Sequence, residues 1–384
     1  MKKKGAAILT IVVLSGLAGT QTASEPVKYN AGYSKAAAIR AVMEKYVQIG
    51  LPGVAVAVHT DKEGGWADAA GFRRTEEKIP MRPGDMHYLQ SVAKTFMATV
   101  ILQLEEKGRL GLDDPISKHL PAWAAACLSN PADVTVRMLL NHTSGVPDYV
   151  SLPKYVSRVL LHPLDVLSVR EILGEIRNEA PAFPPGSRYA YSNANFELLS
   201  VIADTLTGDH VAFMCDYVFK PLGMTQTRYL RSPADLDGLP VVDSYWDVLG
   251  TGEPANITPM QKANVASMKG DDGIVCAPAD AVKFIVGLME GKLLSPRSLQ
   301  QMMTPVKDDK GEPVYGLGLS VYRTGGIEAW GHGGGGIGAG CVLLYIPAAK
   351  TAVFIATNYG ILIETPLTRK ADPMKYEILA AILQ

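Results

Sequence analysis

Alternating hydrophobic and polar positions predict strands near both ends of the chain, and helical spacing predicts helices around and between them. Soon after residue 50, "GVAVAVHT" and "GWADAAGF" follow the period of two that is typical of antiparallel strands. After residue 310, "YGLGLSVYR", "GAGCVLLYI" and "TAVFIATNY" have the same strand character. A helix with Ser34 as its N-cap, stopped by Gly50 and Pro52, precedes the first strand, and "DPMKYEILAAIL" predicts an amphipathic helix at the end.

The middle of the chain carries helical rather than strand patterns. Apolar residues at helical spacing predict a helix from Ser91 to Gly108, and short helices with loops rich in Pro and Gly follow it. The simplest packing is an α/β (α+β) fold: one antiparallel sheet built from both chain ends, flanked by helices, with an inserted helical subdomain. We expect residues 24–384 to form a single unit. Its sheet subdomain covers about 27–90 and 275–384, and its helical subdomain covers about 91–274.

The N-terminus, "MKKKGAAILTIVVLSGLAGTQTASEP", has a basic start, an apolar stretch to about Gly19 and then small polar residues. This order is typical of a secretory signal peptide. The alternative is a retained membrane anchor, but the apolar stretch is shorter than the roughly 20 residues that a spanning helix needs. We therefore predict a signal peptide at residues 1–23, cleaved between Ala18 and Ser24, and a periplasmic or secreted protein with no stable membrane anchor after cleavage.

Composition and charge narrow the class of partner. The 384 residues are 47% hydrophobic and 20% charged, as in ordinary globular proteins. The 37 basic and 38 acidic side chains leave no excess of positive charge that would bind nucleic acid or an anionic membrane surface. We expect a monomer that acts on a small-molecule or short-peptide substrate.

The cysteines permit two interpretations. In an exported protein they could form disulfides, with three ways to pair, or they could serve as four small buried apolar residues. They are spaced widely, at Cys127, Cys215, Cys276 and Cys341. Because neither C-x-x-C nor H-E-x-x-H occurs in the chain, we expect no metal site and no cofactor.

Seven glycines are packed between Gly331 and Gly340, in "GHGGGGIGAG". The run fits the G-x-G-x-x-G spacing of dinucleotide-binding loops, but such a loop must open a helix, and the "CVLLYIP" that follows predicts a strand. A flexible linker is not expected either, because apolar strand-like runs flank the glycines on both sides. The interpretation that remains is a strand whose glycines let another backbone or a ligand approach closely.

Ser91 and Lys94, in "LQSVAKTF", lie three residues apart at the start of a predicted helix and therefore share a helix face. The positive end of the helix dipole should make Lys94 easier to deprotonate, and a serine beside such a lysine is an activated nucleophile. The pattern alone is common. A second copy, Ser151 to Lys154, has a proline beside its lysine, which interrupts a helix.

Two further motifs accompany this pair. Tyr191-x-Asn193 is the only Tyr-x-Asn in the chain, although Asn193 could also be a helix cap. His332-x-Gly334 lies on the glycine-rich strand, where the alternative is a hydrogen-bonded structural histidine.

These three motifs, in this order and at these separations, resemble those of the serine penicillin-recognising family. The nearest branch is that of the class C β-lactamases and soluble D-alanyl-D-alanine carboxypeptidases, with a Tyr-x-Asn and a Lys- or His-Thr-Gly strand. Further similarity covers "GRLGLDDPISKHLP", "VRMLLNHTSGVPDY", "PPGSRYAYSN", "VFKPLGMTQT" and "GDDGIVCAPADAVKF". The resemblance implies a single β-lactamase/transpeptidase-like catalytic unit.

The resemblance also implies roles for individual residues. Ser91 is expected to be the nucleophile that becomes acylated. Lys94 and Tyr191 are expected to transfer protons, and which of them is the base stays open. Asn193 is expected to hold the substrate amide and Lys94. The main-chain N–H groups of Ser91 and Gly335 are expected to form the oxyanion hole.

The strand motif departs from the family at Gly333, where Thr or Ser is usual. That hydroxyl helps to bind the carboxylate of a penicillin or of a terminal D-alanine. His332 is expected to contribute to substrate binding, and it could attract a carboxylate when protonated, which at its ordinary pKa is partial near neutral pH. Gly334 leaves room for substrate.

The function expected from these motifs is a serine hydrolase acting through an acyl-enzyme on D-amino-acid peptides, as D-Ala-D-Ala carboxypeptidases do, or on β-lactams. The absence of a hydroxyl at position 333 favours an alternative, a carboxylesterase, D-aminopeptidase or D-amino-acid amidase on the same fold. A second alternative is a penicillin-binding or sensory protein that does not turn over.

Overall fold

The structure is a computed structural model that describes residues 30–324 and 326–384. The predicted signal peptide lies outside the described residues. In the described part, the strands are β1 Gly53–Thr60, β2 Gly64–Arg74, β3 Ile79–Pro80, β4 His87–Tyr88, β5 Thr227–Tyr229, β6 Tyr245–Trp246, β7 Ala255–Asn256, β8 Ile274–Cys276, β9 Val306–Lys307, β10 Pro313–Tyr315, β11 Ser320–Thr324, β12 Ile327–Gly335, β13 Gly340–Ile346 and β14 Thr351–Thr357. The α-helices are α1 Ala36–Gln48, α2 Ala93–Glu106, α3 Ala122–Ala125, α4 Val136–Leu140, α5 Pro153–Leu161, α6 Val169–Glu175, α7 Asn193–Thr207, α8 His210–Met214, α9 Thr258–Ser267, α10 Pro278–Met289, α11 Pro296–Met302, α12 Pro366–Ala371 and α13 Met374–Leu383.

The main sheet joins the two ends of the chain. Its nine strands run in the order β3-β2-β1-β14-β13-β12-β11-β10-β9, and every pairing is antiparallel. The junction is the pair β1 and β14, in register from Val54 opposite Thr357 to Thr60 opposite Thr351. The predicted fold class, an antiparallel sheet built from both chain ends and flanked by helices, is therefore confirmed.

Helices cover both faces of this sheet. Helices α1 and α13 pack on one face, where alternate side chains of β1, β13 and β14 form an apolar layer. Helices α2 and α10 pack on the other face, and α7 packs on α2. Residues 93–104 of α2 are buried all round, which explains why that helix is apolar on every side. The N-terminus of α2, which follows Ser91, lies where the sheet meets the helical part.

Three local predictions differ from the structure. Ser34 is not the N-cap of α1, because its main-chain N–H and hydroxyl bind the Glu63 carboxylate at 2.8 and 2.7 Å and the helix begins two residues later. Ser91 lies in a 3₁₀ turn, Gln90–Val92, ahead of α2. The run "YGLGLSVYR" is not one strand, because Gly318, with φ at +75°, bends the chain between β10 and β11.

All four cysteines have free thiols, so the structure supports the interpretation as small apolar residues. Cys127, Cys276 and Cys341 are buried, and Cys215 is half-buried. Among the described residues, no three His, Cys, Asp or Glu side chains are grouped as metal ligands would be.

Within the same residues, no single helix has the length and apolar character to cross a membrane. One pair bent by 87°, Asn193–Thr207 with His210–Phe219, meets that requirement on length and composition alone.

Candidate active site

The turn that carries Ser91 is pressed against strand β12. Gln90 has φ at +50°, in the left-handed region that residues other than glycine rarely adopt. A Cβ atom on Gly334 would lie 2.9 Å from Cβ of Gln90, and one on Gly336 would overlap the Gln90 side-chain amide. The glycines of β12 and the residue after it therefore allow the close backbone approach that the sequence predicted, and the other backbone is that of the Ser91 turn.

Lys94 lies one turn after Ser91, and its side chain is fully buried. Its Nζ donates hydrogen bonds to Ser91 Oγ at 3.0 Å, to Asn193 Oδ1 at 2.8 Å and to the main-chain oxygen of Asp271 at 3.0 Å. An ammonium group has three N–H donors and no acceptor, so these three contacts match a protonated lysine. Ser91 Oγ accepts from Lys94 and keeps its own proton free for another partner.

Tyr191 supplies that partner. Its phenol group lies within hydrogen-bonding reach of both Ser91 and Lys94. The ring of His142 packs behind it, with 4.2 Å between ring centres. Burial raises the pKa of Tyr191, and the opposing effects of Lys94 and Ser91 are smaller. Tyr191 is therefore a neutral phenol at neutral pH.

Asn193 joins Lys94 to the half-buried Asp148, in the loop before α5. Its Nδ2 donates to both carboxylate oxygens of Asp148, each at 3.2 Å, while its Oδ1 accepts from Lys94. Its main-chain N–H donates to Asp148 Oδ1 at 3.0 Å. The alternative that Asn193 caps its helix is wrong, because Ser192 holds the cap position and Asp148 satisfies the first N–H group of α7.

The expected deprotonation of Lys94 is wrong. Burial disfavours the ammonium form of Lys94, but the oxygen atoms of Tyr191 and of the buried Asp271 that lie near Nζ favour that form more strongly, and the pKa of Lys94 is raised. Asp271 Oδ2 lies 3.8 Å from Lys94 Nζ and also accepts a hydrogen bond from the Tyr149 hydroxyl at 2.9 Å. The helix dipole is a weaker influence than a carboxylate at this distance in a buried site.

A second buried carboxyl group, Glu197 on α7, forms a side-chain hydrogen bond with Asp271. Burial, followed by the charge of Asp271, raises the pKa of Glu197 well above its usual range. Glu197 Oε2 and Asp271 Oδ1 are both buried and have no donor among the described groups. One proton on Glu197, shared between the two carboxyl groups, satisfies both oxygens.

This assignment predicts unequal effects for two isosteric variants. Glu197→Gln keeps a neutral donor in place, and we expect kcat within about threefold of wild type and little change in stability. Asp271→Asn leaves the Lys94 ammonium buried without its counter-charge, which should cost about 3 kcal/mol or more in unfolding free energy. In that variant burial dominates, so the pKa of Lys94 falls and the pH profile of kcat/KM should move to lower pH.

Urea denaturation and a pH profile of kcat/KM measure both effects. Glu179→Gln, which changes a surface carboxyl group paired with Lys154 at 3.0 Å, is the control for the pH shift. If Glu197→Gln is as damaging as Asp271→Asn, the proton is not on Glu197 and the assignment is wrong.

The hydrogen bonds of His332 do not match the role predicted for it. The carbonyl oxygen of Gly333, 2.6 Å from Nδ1, can only accept, so Nδ1 carries the ring proton and Nε2 accepts from the Tyr315 hydroxyl at 2.8 Å. Burial and then Lys94 lower the pKa of His332 to about 3. The expectation that a partly protonated His332 attracts a carboxylate is therefore wrong, because the ring is neutral and both nitrogens are occupied.

Gly335 ends β12 and is exposed. The expectation that Gly334 leaves room for substrate is wrong, because Gly334 is buried against the Ser91 turn and a Cβ atom there would overlap the main-chain oxygen of Leu89. The structure thus brings together Ser91, Lys94, Tyr191, Asn193 and the end of β12. The second Ser-x-x-Lys pair lies elsewhere: Lys154 pairs at the surface with Glu179 at 3.0 Å, and α5 begins only at Pro153.

Sequence reasoning missed the groups that surround this cluster. The missed residues are His142, Asp148, Glu197, Asp271 and Tyr315. The available signal was polar residues inside apolar stretches, in "LLNHTSGVPDY" and "GDDGIVC".

Comparison with known proteins gives the same fold and family. The family model described as Beta-lactamase matches residues 36–366. Among solved structures, a D-stereospecific amidohydrolase from a Streptomyces species is 27% identical with a TM-score of 0.75, covering 87% of this chain and 97% of that one. A D-amino acid amidase from Ochrobactrum anthropi is 24% identical with a TM-score of 0.78, over 91% of this chain and 98% of the other, and is similar in fold.

The curated relatives are longer proteins, and this chain matches only a part of each of them. A penicillin-binding protein of Bacillus subtilis is 29% identical over 305 residues, 75% of this chain and 64% of that protein. The unguisins hydrolase of Aspergillus violaceofuscus is 25% identical over 350 residues, 80% of this chain and 58% of that protein. The chain thus spans less than two thirds of the length of either relative.

Proposed function

The chain belongs to the beta-lactamase family of serine hydrolases, and on that premise we propose that it hydrolyses amides of D-amino acids through an acyl-enzyme on Ser91. The observation that carries the proposal is the contact of the buried Lys94 ammonium with Ser91 Oγ at 3.0 Å, beside the Tyr191 phenol.

In the proposed mechanism, Ser91 Oγ attacks the amide carbonyl and its proton passes to the pair formed by Tyr191 and Lys94. The same pair then protonates the leaving amine as the C–N bond breaks. Water then attacks the acyl-enzyme. The pair takes a proton from this water and returns a proton to Ser91 Oγ as the acid product leaves. The N–H groups of Ser91 and Gly335 are the proposed donors to the oxyanion.

The pKa values set the pH dependence of this scheme. Both Lys94 and Tyr191 have raised pKa values, so in the resting enzyme both hold their protons. The pair becomes a base only on losing one proton, and kcat/KM is therefore expected to rise from neutral to alkaline pH.

Two features support amides over substrates with a terminal carboxylate. Position 333 has no hydroxyl, and His332 is neutral with both nitrogens bonded. The D-configuration is proposed from the likeness to the D-stereospecific amidohydrolase, whose sequence is 27% identical.

β-Lactams and D-Ala-D-Ala peptides form the second candidate, favoured by the likeness to penicillin-binding proteins. We further propose that the enzyme acts in the periplasm or outside the cell, since the N-terminal sequence is typical of an exported protein. We also propose that it acts as a monomer.

The test is a substrate comparison on the purified protein. D-Phenylalanine amide, L-phenylalanine amide, a D-Ala-D-Ala peptide and benzylpenicillin are assayed side by side for kcat/KM. We expect the D-amide to be hydrolysed at least about tenfold faster than the other three. Faster hydrolysis of the peptide or of benzylpenicillin would contradict the proposal and favour the second candidate. Equal rates on both amide enantiomers would contradict D-specificity.

A further inference from the structure

His142, in the loop after α4, has a backbone conformation that few residues other than glycine adopt. Its φ is +59°, in the left-handed region. Its side chain is fully buried, and burial, followed by the charge of Lys94, lowers the pKa of His142 well below its usual range, so the ring is neutral. Such backbone conformations cluster at functional sites, where the surrounding structure holds them in place.

Two acceptor atoms of His142 bind the N–H groups on either side of Tyr191. Its main-chain oxygen accepts from the Ala190 N–H at 3.0 Å, and its Nδ1 accepts from the Ser192 N–H at 3.2 Å. The side-chain Nδ2 of Asn195 lies 3.1 Å from the same Nδ1. Because a main-chain N–H can only donate, Nδ1 is unprotonated and the ring proton lies on Nε2. The residue before Tyr191 and the residue after it are therefore both fixed to His142.

The imidazole ring of His142 also lies between the Tyr191 segment and strand β12. It packs on the Tyr191 ring with 4.2 Å between ring centres, and edge-on against the Tyr315 ring with 4.7 Å between centres. The Tyr315 hydroxyl donates to Nε2 of His332, on β12, at 2.8 Å. His142 thus contacts the Tyr191 segment directly and strand β12 through Tyr315.

The remaining polar atom of the ring, Nε2, is buried and has no hydrogen-bond partner among the described groups. A buried N–H group without a partner reduces stability. The ring is therefore not placed to satisfy both of its own nitrogens. Its Nδ1 acceptor and its stacked face both act on the segment that carries Tyr191.

We propose that His142 is a positioning residue for catalysis. It holds the Tyr191 phenol within reach of Ser91 and Lys94 by binding the N–H groups on either side of Tyr191 and by packing on its ring. The inference rests on the proposed function, because it requires Tyr191 to take part in the proton transfer from Ser91. A displacement of about 1 Å in a catalytic group can lower the rate about a hundredfold, so the loss of these contacts should be measurable.

Two substitutions of His142 separate the Nδ1 hydrogen bond from the packing of the ring. His142→Phe keeps an aromatic ring without the acceptor, and kcat for D-phenylalanine amide should fall about tenfold to thirtyfold while KM stays within about threefold. Asparagine tolerates the left-handed conformation, and its side-chain oxygen can accept from the Ser192 N–H. His142→Asn should therefore keep kcat within about fivefold of wild type.

His119→Phe is the control for the loss of a buried histidine. It removes a contact between His119 Nε2 and Asp114 at 2.8 Å, outside the candidate site. It should lower the resistance to urea and leave kcat within about threefold of wild type. An equal loss of kcat in His119→Phe and His142→Phe would overturn the proposal.

The Tyr191→Phe background tests whether His142 acts through Tyr191. If His142 positions the phenol, His142→Phe should lower kcat less than about twofold further once the phenol is absent. A residue that only stabilises the fold would lower kcat by the same factor in both backgrounds, and that result would overturn the proposal. If His142→Phe does not fold, His142→Gly replaces it in the comparison, because glycine also lacks the acceptor and adopts the left-handed conformation without strain.

Labelling of Ser91 by a fluorophosphonate distinguishes the failure of this inference from that of the proposed function. The labelling rate depends on the same proton transfer and should fall about tenfold in His142→Phe. Wild-type protein that labels at Ser91 and cleaves the amide, with both rates unchanged in His142→Phe, would overturn the positioning role alone. Labelling at Ser91 without cleavage of the amide would contradict the substrate class, and the labelling rates would still test His142. Wild-type protein that neither labels at Ser91 nor cleaves the amide would overturn the proposed function and this inference with it.

Discussion

Ser91→Ala should lower kcat/KM for D-phenylalanine amide by about a thousandfold or more, because the variant has no oxygen that can form the acyl-enzyme. The hydroxyl is a small group that accepts a hydrogen bond from Lys94. Its removal should therefore leave the unfolding free energy within about 1 kcal/mol of wild type. Steady-state kinetics and urea denaturation of the same preparation separate the two effects.

Ser151→Ala is the matched control for this variant. Ser151 belongs to the other Ser-x-x-Lys pair, and its hydroxyl donates a hydrogen bond to the main-chain oxygen of Asp148 at 2.8 Å. We expect wild-type kinetics from it. Retention of near wild-type activity in Ser91→Ala would remove Ser91 from the mechanism.

Tyr191→Phe should lower kcat about a hundredfold, because positioned proton transfer typically contributes about that much. In the proposed scheme the Tyr191 oxygen receives the proton of Ser91 once the pair of Tyr191 and Lys94 has lost one proton, since Lys94 donates to Ser91 Oγ. The ring itself packs on His142 with 4.2 Å between centres, so phenylalanine should preserve the packing. The measurement is kcat with the simple amide over a range of pH.

Tyr189→Phe is the control for the loss of a hydroxyl group close to the site. The Tyr189 ring packs edge-on against His142, with 6.2 Å between centres, and stands outside the proposed proton path. We expect kcat within about threefold of wild type. Equal losses in both variants would show that the phenol of Tyr191 has no special role in proton transfer.

The fold was predictable because its strongest signals are periodic. The runs that became β1, β13 and β14 alternate or are continuously apolar, and these strands join the two chain ends. Ser34 and Gly318 show where periodicity fails: Glu63 competes for the Ser34 side chain, and one left-handed glycine divides an apparently continuous strand. Both outcomes depend on contacts or backbone angles that local spacing does not encode.

The core of the candidate site was also predictable from three short motifs, but its electrostatics were not. The sequence-based prediction of the Lys94 pKa took into account only the dipole of the helix on which Lys94 lies. The pKa of Lys94 depends instead on burial, on Tyr191 and on Asp271, which is 177 residues away in the chain and 3.8 Å away in space. Asp271 in turn shares a side-chain hydrogen bond with Glu197 on helix α7, whose pKa is raised by burial and then by Asp271. Tertiary contacts between buried acids decide the outcome, and a single sequence does not reveal them.

The central claim is a covalent intermediate on Ser91. The most direct measurement is to mix the protein with a p-nitrophenyl ester of a D-amino acid, quench with acid within the first turnovers, and map the acylated peptide by mass spectrometry. The account predicts one acyl group on the peptide that contains Ser91 and none in Ser91→Ala. Turnover of the ester with the acyl group on another residue, or turnover that continues in Ser91→Ala, would contradict it.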